Sequence, residues 1–112
     1  MSESGHTWRR AFKAHPAEAA AVRSWTSGRA MHLDAPLVAH ELFVAILGTQ
    51  PDAIDMTIST AGRRLRITAE GPIELTLRHT HGPGWQIVSA LSQHTGVTPD
   101  TCGLWALLRT GL

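Results

Sequence analysis

Residues 53–72 read AIDMTISTAGRRLRITAEGP, and this stretch decides the fold class. Ile54, Met56 and Ile58 alternate with Asp55 and Thr57, the two-residue period of a strand buried on one face. Ala61-Gly62 reads as a tight turn, after which Leu65, Ile67 and Ala69 resume the alternation until Gly71-Pro72. Strands joined by so short a turn pair antiparallel. Such a sheet buries one face, so other parts of the chain must cover it.

The cover is upstream and downstream. Pro16 opens the alanine-rich run AEAAAVRSW, where Ala19, Val22 and Trp25 share a helical face before Gly28. Asp34 is placed as an N-cap and Pro36 suits the first turn, so Leu37–Leu47 is expected helical, with Val38, Leu42, Ala45 and Ile46 inward and Gly48 as the stop. Trp85, Val88 and Leu91 predict a third helix over Trp85–His94, closed by Gly96. Thr7–Phe12 and Leu104–Leu108 alternate as strands, and Ile73, Leu75 and Leu77 predict one more. The expected architecture is α+β: a two-layer α/β sandwich with a mixed, mostly antiparallel sheet and three main helices on one face.

Composition sets the bounds. The 112 residues suit one domain, 1–112, with residues 1–6 expected flexible. A hydrophobic fraction of 43% is enough for a core. The net charge of +1 gives no overall footprint for nucleic acid or an anionic membrane. Cys102 stands alone, which excludes an intrachain disulfide and a multi-cysteine zinc site. The opening Met-Ser-Glu-Ser-Gly-His lacks the basic and apolar regions of a secretory signal, and no apolar run is long enough to span a bilayer. A cytoplasmic domain is the expectation.

Four segments taken in order carry a resemblance: TWRRAF (7–12) with VRSW (22–25), ELFVAILGTQ (41–50), GRRLRITAEGP (62–72), and HGPGWQIVSALSQHTGV (81–97) followed by GLWALL. Together they resemble the histidine-kinase-like ATPases of the Bergerat-type fold, and within them the anti-sigma-factor serine kinases. The resemblance implies ATP chemistry on one helix reading Glu-Leu-x-x-Asn-Ala. Glu and Asn four residues apart lie on one face, the first orienting the attacking group and the second ligating magnesium. Here Glu41 keeps the catalytic position, while Ala45 stands at the metal position and offers no oxygen ligand. The family's adenine-binding Asp aligns with Gly71, beside Glu70, which would serve only if the strand end bulged. Gly82 and Gly84 match the glycine box that cradles phosphate before a helix. IELTLRH (73–79) alternates like a strand and leaves little room for a nucleotide lid.

The resemblance with these departures implies a regulatory protein whose ATP-binding domain is degenerate and whose kinase activity is lost or crippled. It acts by contact with a sigma factor or an anti-sigma antagonist, with homodimerisation suggested and neither nucleic acid nor membrane engaged directly. No cofactor and no metal site are expected. ATP and Mg2+ belong to the alternative, an active serine/threonine protein kinase with Glu70 in the Asp role, and a pocket repurposed for another small ligand is a third reading. His79 and His81 would share a strand face as an H-x-H pair, but nothing in sequence supplies a third ligand. Of the four tryptophans, Trp25 and Trp105 are expected in the core, and Trp85 over the cleft. Cys102 is expected to be an unreactive thiol.

Overall fold

A computed structural model describes residues 5–109, with only the backbone described at Arg109. The strands are β1 (Gly5–Lys13), β2 (Ala53–Ala61), β3 (Arg64–Glu70), β4 (His94–Val97) and β5 (Gly103–Arg109). The helices are α1 (Ala19–Ser27), α2 (Ala35–Leu47) and α3 (Pro83–Leu91). Strand order is β1-β2-β3-β5-β4, and every neighbouring pair is antiparallel, where a mixed sheet was expected. The α+β class and the three helices agree with the sequence.

The hairpin closes as its residues demand. Ala61 pairs with Arg64 around Gly62-Arg63, and Gly62 takes the left-handed φ of 59° that the first position of such a turn requires. Ile54, Met56, Ile58, Leu65, Ile67 and Ala69 are fully buried on the helix side, joined by Leu104, Ala106 and Leu108 of β5. α2 lies against β2, β3 and β5 and contributes Val38, Leu42, Phe43 and Ile46 to this core. α1 packs on α2 through Val22 and Trp25, with Phe12 edge-on to both Trp25 and Phe43. Ala45 is only half-buried, because its methyl faces a cleft.

Several expectations are corrected. Asp34 makes no side-chain cap. Its own N–H donates to Nδ1 of His32 at 3.1 Å, and the carbonyl of His32 accepts from Ala35 N–H. Residues 73–78 form no strand: the chain runs irregularly to Thr76 and turns through a 3-10 segment, Leu77–Thr80. β3 is already paired on both edges, by β2 and β5, so no ladder is open beside it. Local bonds then win: Thr76 N–H donates to Nδ1 of His79 at 2.9 Å, and Thr80 Oγ1 donates to the Leu77 carbonyl. His79 and His81 therefore share no strand face, and no group of three metal-ligating side chains occurs among the described residues.

α3 starts two residues early and ends at Leu91, with Ser92 extended. Gly96, expected as a helix stop, lies inside β4 opposite Trp105. The indole rests against that glycine, where a methyl would come within 2.6 Å of the ring. Trp105 is thus half-buried on the sheet face opposite the core, while Trp25 is in the core as expected. β1 already includes Gly5 and His6, the latter paired with Thr60, and the remainder of the segment expected flexible, residues 1–4, lies outside the described residues. No helix among the described residues is long and apolar enough to cross a membrane.

Candidate functional site

The outer side of α2, the 77–80 turn and the start of α3 enclose a cleft of about 240 Å³. Glu41 and Ala45 both line it, as their four-residue spacing on one helix requires. Gly82 and Gly84 form the opposite lip. A methyl added at Gly84 would sit 3.2 Å from Oε2 and 3.3 Å from Oε1 of Glu41, so the missing side chain is what lets the carboxylate approach. Pro83 in the first turn fixes the start of α3 and has no N–H to leave unpaired. The Glu41 carboxylate thereby rests at the positive end of the α3 dipole, the part of this cleft most favourable to an anion. A methyl at Gly82 would meet nothing within 4 Å, so that position is open rather than crowded.

Glu70 and Gly71 lie elsewhere. Pairing is regular through Glu70, with Asp55 on one side and Gly103 on the other, so no bulge interrupts the alternation. Ala69 points into the core, and Glu70 accordingly faces the far side of the sheet, its Cγ lying over Gly103. Gly71 backs onto α2 instead, where a methyl would meet Ile46 Cγ2 at 3.2 Å and Pro51 beyond it. Of the positions singled out in the sequence, the fold brings together Glu41, Ala45, Gly82 and Gly84 and leaves Glu70 and Gly71 outside.

Sequence reasoning missed Arg78 and read His79 only as half of an H-x-H pair, yet both line the cleft with Trp85. Because Nδ1 of His79 accepts the Thr76 N–H, the neutral ring carries its proton on Nε2. The Cδ2–Nε2 edge lies over Gly48, 3.4 and 3.8 Å from where a methyl would stand. The signal was the Thr76-x-x-His79 spacing, a reciprocal cap like the familiar Ser/Thr-x-x-Glu box. The short Leu77–Thr80 segment thus leans its imidazole onto the end of α2.

Cys102 is half-buried in the turn before β5. Partial burial, and then the negative charges of Asp100, Glu74 and Glu70, push its thiol above the usual range, the opposite of what a reactive thiolate needs. Compared with known proteins, the chain matches no family model and no curated protein sequence.

Proposed function

We propose that the chain is a regulatory protein built on a degenerate histidine-kinase-like, Bergerat-type ATP-binding domain, akin to the anti-sigma-factor serine kinases, and that it works by protein contact. Its partner on this reading is a sigma factor or an anti-sigma antagonist, and the resemblance also suggests homodimerisation. The observation that carries the proposal is the pairing of Glu41 with Ala45 in one cleft: a carboxylate against Gly84 at the start of α3 and, four residues on, a methyl group that offers a metal no oxygen. Phosphoryl transfer depends on metal and positioned charge for nearly all its acceleration, so losing that ligand removes the chemistry. Size supports the same reading, since about 240 Å³ is below the ~300–1,000 Å³ of ordinary small-molecule sites. The alternative of an active serine/threonine kinase would need an adenine acceptor on the helix side, where Glu70 does not point.

Thermal unfolding with millimolar Mg-ATP tests the proposal. A ligand bound only by the folded state, at ~100 times its Kd, adds about 2.7 kcal/mol. For a domain of this size that is a rise in Tm of roughly 10 °C. The expected rise is within about 1 °C of zero, on the same scale. A rise of many degrees that a chelator abolishes would overturn the proposal and restore the kinase.

A further inference from the structure

The sheet face turned away from the helices carries a second concavity, of about 330 Å³, beside the β2–β3 turn. Arg64 and Arg66 of β3, Trp105 and Leu107 of β5, and Ser59 and Ala61 of β2 line it. Strand alternation puts them there, since Leu65, Ile67, Leu104, Ala106 and Ile58 between and beside them are buried on the helix side. The Arg66 guanidinium stands 4.7 Å from the centre of the Trp105 ring, and the ring packs against Gly96. Both arginines are exposed, and the only ion pair among the described residues is Arg9–Asp55, at 2.8 Å. Two guanidinium groups without a carboxylate thus stand over a floor of indole and leucine.

We propose that this concavity is a docking site for an acidic segment of a partner protein. Its carboxylates are held by Arg64 and Arg66, and its aliphatic side chains rest on Trp105 and Leu107. Arginine and tryptophan are the residue types that most often dominate binding energy at interfaces, and guanidinium groups match carboxylates in two-pronged geometry. Charge selects the occupant. A second copy docking concavity on concavity would set two more exposed arginines against Arg64 and Arg66, and the Asp55 carboxylate on this face is already held by Arg9. Single-stranded nucleic acid would need an aromatic face open for base stacking, and the ring here already has Arg66 over it. The site is on the opposite side of the sheet from the Glu41 cleft and does not rest on the ATPase reading.

The test is a titration of the 15N-labelled protein with three probes: a short synthetic peptide alternating glutamate and leucine, its lysine-for-glutamate counterpart, and an oligothymidylate. The Trp105 indole N–H signal, identified by its loss in Trp105→Phe, is expected to move with the acidic peptide alone. Arg64→Glu with Arg66→Glu is expected to weaken that binding by at least about tenfold, the loss typical of a central interface arginine. Arg64→Lys with Arg66→Lys should retain part of it. Unchanged melting of these exposed-site variants shows that they remain folded. No movement of the Trp105 signal, equal response to the lysine peptide, or a stronger response to oligothymidylate would each overturn the proposal. So would a charge-reversed protein whose chief change is its own sedimentation, which would mark the face as a self-interface. A Mg-ATP melting shift, by contrast, bears only on the cleft.

Discussion

Two glycines on neighbouring strands should respond in opposite ways to the same substitution. In Gly103→Ala the new methyl would lie 2.8 Å from the Ala69 carbonyl oxygen, 2.6 Å from Glu70 Cγ and 3.0 Å from Thr98 Cγ2. The Ala69 oxygen belongs to the central strand and cannot yield without moving β3. Gly103 is itself pinned, its N–H donating to Thr98 Oγ1 at 2.9 Å and its carbonyl accepting from Thr98 N–H at 2.9 Å. Overpacking against backbone costs about 1–3 kcal/mol, so a loss near 2 kcal/mol is expected. At roughly 4 °C per kcal/mol for a chain of this length, Tm falls by about 8 °C. In Gly96→Ala the overlaps are as short on paper, 2.6–2.8 Å, but all are with the Trp105 ring on an open face. The ring can swing away, giving up a cation–π contact worth about 0.5–1 kcal/mol. The strand meanwhile regains a similar ~0.5–1 kcal/mol from replacing glycine. Melting followed by far-UV circular dichroism should separate the two variants by at least 5 °C on that reckoning. Equal losses, or the larger loss in Gly96→Ala, would refute the assignment of which neighbour can move.

Thr101 holds a left-handed φ of 61°, a conformation that costs a β-branched residue about 1–2 kcal/mol. Thr101→Gly should therefore raise Tm by a few degrees, after allowing for the extra freedom of glycine in the unfolded chain, and calorimetry reads this directly. Asp100 in the same turn accepts from Thr98 Oγ1 at 2.6 Å and from Cys102 N–H at 3.0 Å, and those bonds, the Thr98 one foremost, hold its carboxyl below the usual range. A depressed folded-state pKa means stability present above the unfolded value and lost as pH falls through the folded one. The stability gap between the protein and Asp100→Asn should accordingly narrow as pH drops below about 4, measured by denaturant unfolding across that window. A gap constant with pH would refute the turn's role.

The hairpin of β2 and β3 and the helix α2 were legible because each rests on a local period with a local terminator: Gly62 for the turn, Gly48 for the helix. Ile73, Leu75 and Leu77 have the same period and yet form no strand. Alternation says that one face is apolar, not that an edge is free to pair with, and β3 has no free edge. Leu77 is 77% exposed, so there the pattern did not track burial at all. β4 escaped notice for the reverse reason. Its four residues, with a glycine inside, carry too little pattern, and the strand exists because Gly96 admits the Trp105 ring. The burial expected for Trp105 contradicted its own neighbours: Leu104 and Ala106 on the core side leave residue 105 for the other face.

The same parity governs the candidate site. Glu41 and Ala45 were placed together by helical spacing alone, which needs no tertiary information. Glu70 and Gly71 turn on strand parity, and a single bulged residue at the end of β3 would have exchanged their faces. Unbroken pairing of Glu70 with both Asp55 and Gly103 settles the side on which its carboxylate lies. That carboxylate is then distant in function from the cleft and belongs to the open face, at the other end of β3 from Arg64 and Arg66. The strand thus carries charge of both signs along one face, basic near the turn and acidic near Gly71. A partner laid along β3 would be read in one direction only, its acidic segment toward Arg64 and any basic residue toward Glu70.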